Sequence, residues 1–153
     1  DQDILKALAW KNAFAERTGA HMQIVTQFCF DAAPIIAWDK AIQAEGNILP
    51  IRIGLPGLAT IKTLIAYARS CGIGNSMRLL TRQAKNVTKL LSISTPDELV
   101  AELAAYKANN PACGIVSAHM FPLGGLNRTT AWSNAVENGR FELKPNGGFK
   151  VDV

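Results

Sequence analysis

The side chains of this chain that could bind a small molecule lie near the ends of its apolar segments. Gln27 stands near the end of the apolar run 24–30, and Asp31 follows that run directly. A buried parallel strand has a nearly continuous apolar sequence, and α/β folds place their chemistry at the carboxyl ends of such strands. A primary amide offers one acceptor and two donors. Gln27 is therefore a candidate for hydrogen bonding to a ligand.

The other reactive side chains are scattered along the chain. His119 lies inside a predicted strand and is expected to be a histidine of the core or its rim, whereas His21 precedes the first strand as a loop residue. The three cysteines, Cys29, Cys71 and Cys113, are far apart without metal-ligand spacing, and their odd number argues against a disulfide framework. We therefore predict no metal site and no catalytic triad, and the cysteine usage favours a reducing cytoplasm.

Composition narrows the class of protein. The chain has 153 residues, of which 48% are hydrophobic and 18% charged, which is typical of one globular domain. No apolar run is long enough to cross a membrane. The acidic start lacks the basic region of a signal peptide, and the absence of an initiating methionine leads us to expect that the chain begins inside a longer protein.

The net charge of +4 does not by itself indicate a nucleic-acid partner. The basic residues are spread out, apart from a modest cluster at helical spacing, which consists of Arg78, Arg82, Lys85 and Lys89. A solvated helix face is the favoured interpretation of this cluster, and a phosphate-binding surface is the alternative. We predict no nucleic-acid partner.

Strand and helix patterns alternate along the chain. Helices are predicted over about 3–17, from Asp31 to about Ala44, from Thr60 to before Gly72, from Asn75 or Ser76 through Leu91, from the capping box at 95–98 to about Ala108, and from Asn127 to about Asn138. Strands are predicted over 22–30, 48–54 and 113–121, with the second broken by the turn 54–57, and the tail around 145–148 predicts a hairpin.

Such alternation predicts a parallel sheet with helices outside it. About three strands would leave an open edge and an uncovered inner face. We therefore predict a single α/β domain over 1–153, which forms the C-terminal portion of a (β/α)8 TIM barrel and is incomplete alone. The missing strands would come from an N-terminal barrel half or from another chain.

Four stretches resemble the methylenetetrahydrofolate reductase family. The segment 26–31, Thr-Gln-Phe-Cys-Phe-Asp, resembles the family's TQFFFD-type sequence. The segment 54–62 looks like its next strand and Gly- and Pro-containing turn, and 119–123 with 126–128 looks like its last barrel strand and final helix. Residues 8–11 resemble the start of the helix before the TQF strand. The matches occur in the family's order from about Leu8 to Ala135.

The resemblance implies a TIM barrel that binds FAD. Enzymes of this family use NAD(P)H to reduce the flavin, which then passes a hydride to methylenetetrahydrofolate and gives methyltetrahydrofolate. This chain would correspond to barrel strands six, seven and eight. The family's catalytic acid lies on the first strand, and most flavin contacts come from strands two to five. The segment alone is therefore not expected to catalyse the reaction.

By this resemblance, four residues would contact folate. Gln27 matches the glutamine that hydrogen-bonds the pterin ring, and its alternative role is a bond to the barrel backbone. Ile61 falls where the family often has an aromatic cover for folate, and it is otherwise a helix core residue. Phe121 and Leu123 would pack on the aryl portion of folate, or they serve only to pack the barrel mouth.

One residue would contact the cofactor. Lys11 matches a family lysine that contacts the FAD diphosphate, although Trp10 replaces the arginine that precedes it in the family. A solvated surface lysine is the alternative. Asp3 is a weaker candidate for a ribose contact.

These observations lead to three hypotheses about function. The first is the C-terminal part of a methylenetetrahydrofolate reductase-like flavoenzyme, which forms half of the folate pocket and one edge of the FAD site. The second is a non-catalytic half-barrel that binds a pterin, or that assembles with itself as a homo-oligomer or with another chain. The third is a barrel of the same shape that transfers a methyl group from folate without a flavin.

Overall fold

A computed structural model of the chain describes residues 2–72, 87–145 and 147–152. The helices are α1 (Gln2–Thr18), α2 (Ala32–Ala44), α3 (Ile61–Ser70), α4 (Val87–Leu91), α5 (Asp97–Asn109) and α6 (Leu126–Glu137). The strands are β1 (Ile24–Phe28), β2 (Ile51–Pro56), β3 (Ala59–Thr60), β4 (Ile93–Ser94), β5 (Ile115–Phe121), β6 (Glu142–Leu143) and β7 (Phe149–Lys150). The predicted helix start at Asn75 or Ser76 and the basic residues Arg78, Arg82 and Lys85 lie outside the described residues.

The main sheet has three parallel strands in the order β1-β2-β5. This confirms the predicted α/β class, with a three-stranded parallel sheet and flanking helices. The described residues form no closed barrel, and none of their strands pairs with the outer edge of β1 or β5. The predicted tail hairpin is confirmed as the antiparallel pair β6–β7, whereas the short pair β3–β4 was not predicted.

The main core lies between the sheet and the helices α1, α2 and α5. Strand β2 is central, and Ile51, Ile53 and Leu55 are fully buried against this helical layer. A second cluster covers the carboxyl end of the sheet under α3, and a third joins α6 to the tail. No helix among the described residues has the length and hydropathy needed to cross a membrane.

A buried carboxylate fixes the helical layer to the sheet. Asp39 of α2 is 0% exposed. Its Oδ2 accepts a hydrogen bond from the Tyr106 hydroxyl at 2.8 Å, and its Oδ1 accepts from Gln43 Nε2 and the Gly114 amide, each at 3.2 Å. A buried carboxylate is stable only when its oxygens are satisfied in this way. Asp39 therefore ties α2 to α5 and to the loop before β5.

Two predicted helix starts, at Asp31 and Thr60, are confirmed. Asp31 Oδ1 accepts a hydrogen bond from the Ala33 amide at 3.0 Å at the start of α2. Thr60 Oγ1 accepts from the Thr63 amide at 3.2 Å at the start of α3. Each side chain satisfies a donor that the first helical turn leaves unpaired, as the sequence pattern requires.

The capping box predicted at 95–98 and the helix start predicted at Asn127 are wrong. Pro96 takes the N-cap position of α5, where no side chain caps the helix, and Asp97 instead accepts a hydrogen bond from Trp132 Nε1 at 2.7 Å. Helix α6 begins before Asn127, because the chain turns into it at Gly125 with a φ of 119°. Such a φ favours glycine, so the turn preceding α6 is set by the backbone and not by the Asn127 side chain.

Strand β2 also differs from its predicted range of 48–54. It begins later because the Asn47 side chain bonds the backbone of Leu49, through its Oδ1 at 3.2 Å and its Nδ2 at 2.8 Å, and holds a turn there. It continues through Pro56, after which the Gly57 amide still donates to the Phe121 carbonyl at 2.7 Å. Pro56 ends the strand without interrupting this pairing.

Candidate functional site

An irregularity in β1 places the residues of the TQF segment. The register against β2 shifts between Val25 and Phe28. The Gly54 amide donates to Thr26 Oγ1 at 2.9 Å, so a hydroxyl takes the place of a backbone acceptor. A Cβ at position 54 would lie 2.5 Å from the backbone carbonyl oxygen of Thr26 and 2.6 Å from the carbonyl carbon of Gln27. Gly54 is thus required for the close approach of β1, and such a bulge redirects the side chains that follow it.

Gln27 is exposed at the free edge of β1. Its Oε1 accepts a hydrogen bond from the Phe28 amide at 3.1 Å, while its NH2 group has no partner among the described residues. The side chain lines a groove of about 390 Å³ beside Pro34, Ile35 and Trp38 of α2. The backbone thus uses the acceptor of the amide, and both donors remain open to the groove.

The residue after Gln27 belongs to an aromatic cluster on the sheet. Phe28 is buried, and its ring centroid lies 5.3 Å from that of Phe121 and 5.6 Å from that of Phe30. Phe121 in turn meets the His119 ring edge-on at 5.0 Å. Leu123 packs against the same cluster below α3. The structure therefore brings Phe121 and Leu123 together, next to the strand that carries Gln27.

Ile61 and Lys11 lie elsewhere. Ile61 is buried at the start of α3 and lines a separate depression with Lys89 and Lys144. Lys11 is exposed on α1 and lines a groove of about 430 Å³. That groove shares Ile24, Val25 and Trp38 with the groove of Gln27. Lys11 and Gln27 therefore face consecutive grooves along the free edge of β1, and Ile61 does not line either of them.

Sequence reasoning missed a charged residue on the face of the main sheet that is turned away from α2 and α5, which we call the open face. Arg52 of β2 is exposed, although both its neighbours in the strand are buried against the helices. It is in register with Val25 and Ser117, and the next position, Gly54, is in register with His119. A single arginine between two isoleucines was the available signal, because alternate residues of a strand point to opposite faces.

Electrostatics give little sign of further reactive groups. No three His, Cys, Asp or Glu side chains gather within the described parts of the chain. Burial raises the pKa of the Cys113 thiol, which keeps this group protonated at neutral pH and makes it a poor nucleophile. The sheet thus offers an amide on β1, a guanidinium on β2 and aromatic rings on β1 and β5, which are groups suited to binding.

No protein-family model matches the chain. The resemblance to methylenetetrahydrofolate reductases therefore rests on the four sequence segments. Residues 8–11 lie on α1, and 26–31 run from β1 to the cap of α2. Residues 54–62 lead from β2 into α3, and the segment from His119 to Arg128 leads from β5 into α6.

Proposed function

We propose that this chain is the C-terminal part of a methylenetetrahydrofolate reductase-like flavoenzyme, where it forms one side of the folate pocket and one edge of the FAD site. The observation that carries the proposal is the position of the TQFCFD segment. It ends a parallel edge strand, presents the unpaired donors of Gln27 to a groove, and continues into the Phe28–Phe121 aromatic cluster.

Gln27 would recognise the pterin. The bond from the Phe28 amide to Gln27 Oε1 engages the oxygen of the side-chain amide and leaves its two N–H groups without a partner among the described residues. Those donors suit the acceptor groups of an aminopyrimidinone ring. A ligand without such acceptors would leave the donors unpaired, which supplies selectivity.

The remaining residues would provide packing and charge. Phe121 and Leu123 form an apolar surface on which the aryl portion of folate can rest. Ile61 would offer apolar contact only, from a separate depression. The Lys11 ammonium beside an apolar groove fits a diphosphate as a point charge. A bound FAD would supply the redox chemistry, which is hydride transfer from NAD(P)H to the folate, and Lys11 would hold its diphosphate.

The chemistry itself needs groups beyond those described. Strands β1, β2 and β5 contain no aspartate or glutamate. The catalytic acid that the resemblance implies is therefore expected on a strand outside the main sheet, and this chain would bind and orient. We expect no folate reduction by residues 1–153 alone.

The test is flavin and folate binding by the complete gene product. We expect the purified protein to show a flavin absorption spectrum, or to acquire one with added FAD, and to bind methyltetrahydrofolate. Replacement of Gln27 by leucine should weaken folate binding about tenfold, because two hydrogen bonds of about 0.5–1.5 kcal/mol each are lost. Gln23→Leu is the matched control, since Gln23 is exposed just before the same strand and lines only the Lys11 groove.

The outcomes separate the candidate functions. A colourless protein that takes up no FAD and binds no folate would refute the proposal, as would equal losses for the two glutamine variants. Folate binding without flavin uptake would favour methyl transfer.

A non-catalytic half-barrel is the second candidate. The exposed apolar side chains of the two edge strands favour it, since Val25 is 46% exposed and Val116 is 53% exposed. Light scattering tests it, because a stable oligomer of residues 1–153 without flavin would support assembly as the function.

A further inference from the structure

One hydroxyl links the two strands that carry the candidate site. Thr26 of β1 directly precedes Gln27, and its Oγ1 accepts a hydrogen bond from the Gly54 amide of β2 at 2.9 Å. The same hydroxyl donates to the Gln27 carbonyl oxygen at 3.0 Å. Its proton and a lone pair are therefore both engaged, at the point where the register between the strands shifts.

The register shift changes which amide of β1 reaches Gly54. The Ile24 amide donates to the Pro50 carbonyl, and the bonds of a parallel ladder recur every second residue along each strand. An uninterrupted ladder would therefore bring the Phe28 amide to the Gly54 carbonyl. In the structure the Cys29 amide takes that place, at 3.3 Å. The bulge thus releases the Phe28 amide from the sheet.

The released amide holds the ligand-facing side chain. The Phe28 amide donates instead to Gln27 Oε1 at 3.1 Å. Because this amide has a single proton, its bond to the Gln27 side chain competes with the bond to Gly54 that a regular ladder would form. The register of β1 therefore decides whether the Gln27 oxygen is occupied or free.

We propose that Thr26 is a positioning residue for ligand recognition. Its hydroxyl holds β1 in the bulged register, which directs the Phe28 amide to Gln27 Oε1, so that Gln27 meets a ligand as a hydrogen-bond donor. The proposal rests on the proposed function for its ligand, which is folate, whereas the coupling between Thr26 and Gln27 is measurable without any ligand.

A hydroxyl is the group that this bulge requires. Gly54 is buried, so its amide needs an acceptor, and Thr26 Oγ1 supplies it. Valine has the same branched shape without a polar atom. In the bulged register, valine at position 26 would leave the Gly54 amide unpaired, and a return to the regular ladder would satisfy it.

The register has a consequence for specificity. A glutamine amide presents either an acceptor oxygen or two donors. With its oxygen held by Phe28, the Gln27 amide offers donors to the groove and selects ligands that carry acceptors. A free amide selects less, because it can turn either group to the groove. Thr26 lines the same groove, but its hydroxyl is already engaged twice, so it acts on the ligand through Gln27.

The experiment compares three variants of the complete gene product. Thr26→Val removes the hydroxyl, Thr26→Ser keeps it, and Thr130→Val is the matched control, since Thr130 is exposed on α6. Circular dichroism verifies that each variant folds. The first measurement is the order parameter of the Gln27 side-chain NH2 group, from ¹⁵N relaxation of the protein without ligand. The exposed amide of Gln23 is the internal reference for a mobile side chain.

We expect the Gln27 order parameter to exceed about 0.6 in the wild type, Thr26→Ser and Thr130→Val, and to fall below about 0.6 in Thr26→Val. Methyltetrahydrofolate should bind Thr26→Val about tenfold more weakly, as it does Gln27→Leu, and Thr26→Ser should stay within about twofold of the wild type. Thr26→Val combined with Gln27→Leu should lose no more than about tenfold, because the two residues act as a unit, whereas independent effects would give about a hundredfold loss.

Four results would overturn the proposal. They are a mobile Gln27 amide in the wild type, which decides the matter even if Thr26→Val does not fold, a rigid Gln27 amide in Thr26→Val, a loss of affinity that Thr26→Ser shares, and the hundredfold loss in the double variant. If the wild type binds no folate, the proposed function fails, and the order parameters still decide whether Thr26 positions Gln27.

Discussion

Replacement of Tyr106 by phenylalanine tests the buried carboxylate that joins α2 to α5. The Tyr106 hydroxyl is the one donor to Asp39 Oδ2 among the described residues, because the Gln43 and Gly114 donors both bond Oδ1. Phenylalanine keeps the ring, and with it the contact of the Lys40 ammonium 5.6 Å from the ring centroid. The change therefore removes a hydrogen bond to a charged, buried oxygen and leaves that oxygen unsatisfied.

We expect the free energy of unfolding to fall by about 2–3 kcal/mol, which is the upper end of the range for hydrogen bonds to buried charged groups. For a domain of this size the midpoint of thermal unfolding should fall by about 4–12 °C. Urea unfolding followed by tryptophan fluorescence measures this change in free energy. An unchanged m value, the slope of the free energy against urea concentration, indicates that the unfolded state is the same.

Tyr67→Phe is the matched control. Its ring is 44% exposed on α3, and we expect a change within about 0.5 kcal/mol. The interpretation is refuted if Tyr106→Phe costs no more than this control, since another donor or water would then satisfy Asp39. A double-variant cycle with Asp39→Asn should give a coupling above about 0.5 kcal/mol.

Two further predictions concern pH and the strand bulge. Burial, together with the hydrogen bond to Asp39, raises the pKa of Tyr106 above its usual value. Its contribution to stability is thus fully present below about pH 10 and is lost as the pH rises further, so wild-type stability should fall above pH 10 more steeply than that of Tyr106→Phe in urea titrations. Gly54→Ala should lower the free energy of unfolding by about 1–3 kcal/mol, because the new Cβ would lie 2.5 Å from the backbone carbonyl oxygen of Thr26 and the backbone of β1 must move. A wild-type midpoint in thermal unfolding of Gly54→Ala would contradict this geometry.

Local patterns predicted those parts of the fold that depend on neighbouring residues. The apolar runs around β1, β2 and β5 indicated parallel strands, and Asp31 and Thr60 marked the starts of α2 and α3 because their side chains cap the turn beside them. The tail hairpin followed from its glycine-rich turn. Each of these signals acts over a few residues, which is why the sequence displays it.

The predicted helix and strand ends were wrong where contacts with residues far along the chain compete with local hydrogen bonding. Thr95 and Glu98 were expected to form a capping box, yet no side chain caps α5, and the neighbouring Asp97 is held by a hydrogen bond from Trp132 of α6. Strand β2 was expected to end at the turn that begins at Gly54, yet its pairing with β5 carries it through Pro56. Tertiary contacts overrode the local preference in both places.

The same division holds for the candidate site. Sequence patterns alone placed Gln27 near the end of one strand, Phe121 at the end of another and Leu123 just after it, because strand periodicity is a property of short segments. Long-range pairing, in contrast, creates the Thr26–Gly54 bond, places Phe28 beside Phe121 and leaves the Gln27 donors at the edge of the sheet. It also decided that Ile61 lines a separate depression and that Arg52 stands on an open face. Register and strand order fix these relations, and both are set by pairing between residues far apart in the chain.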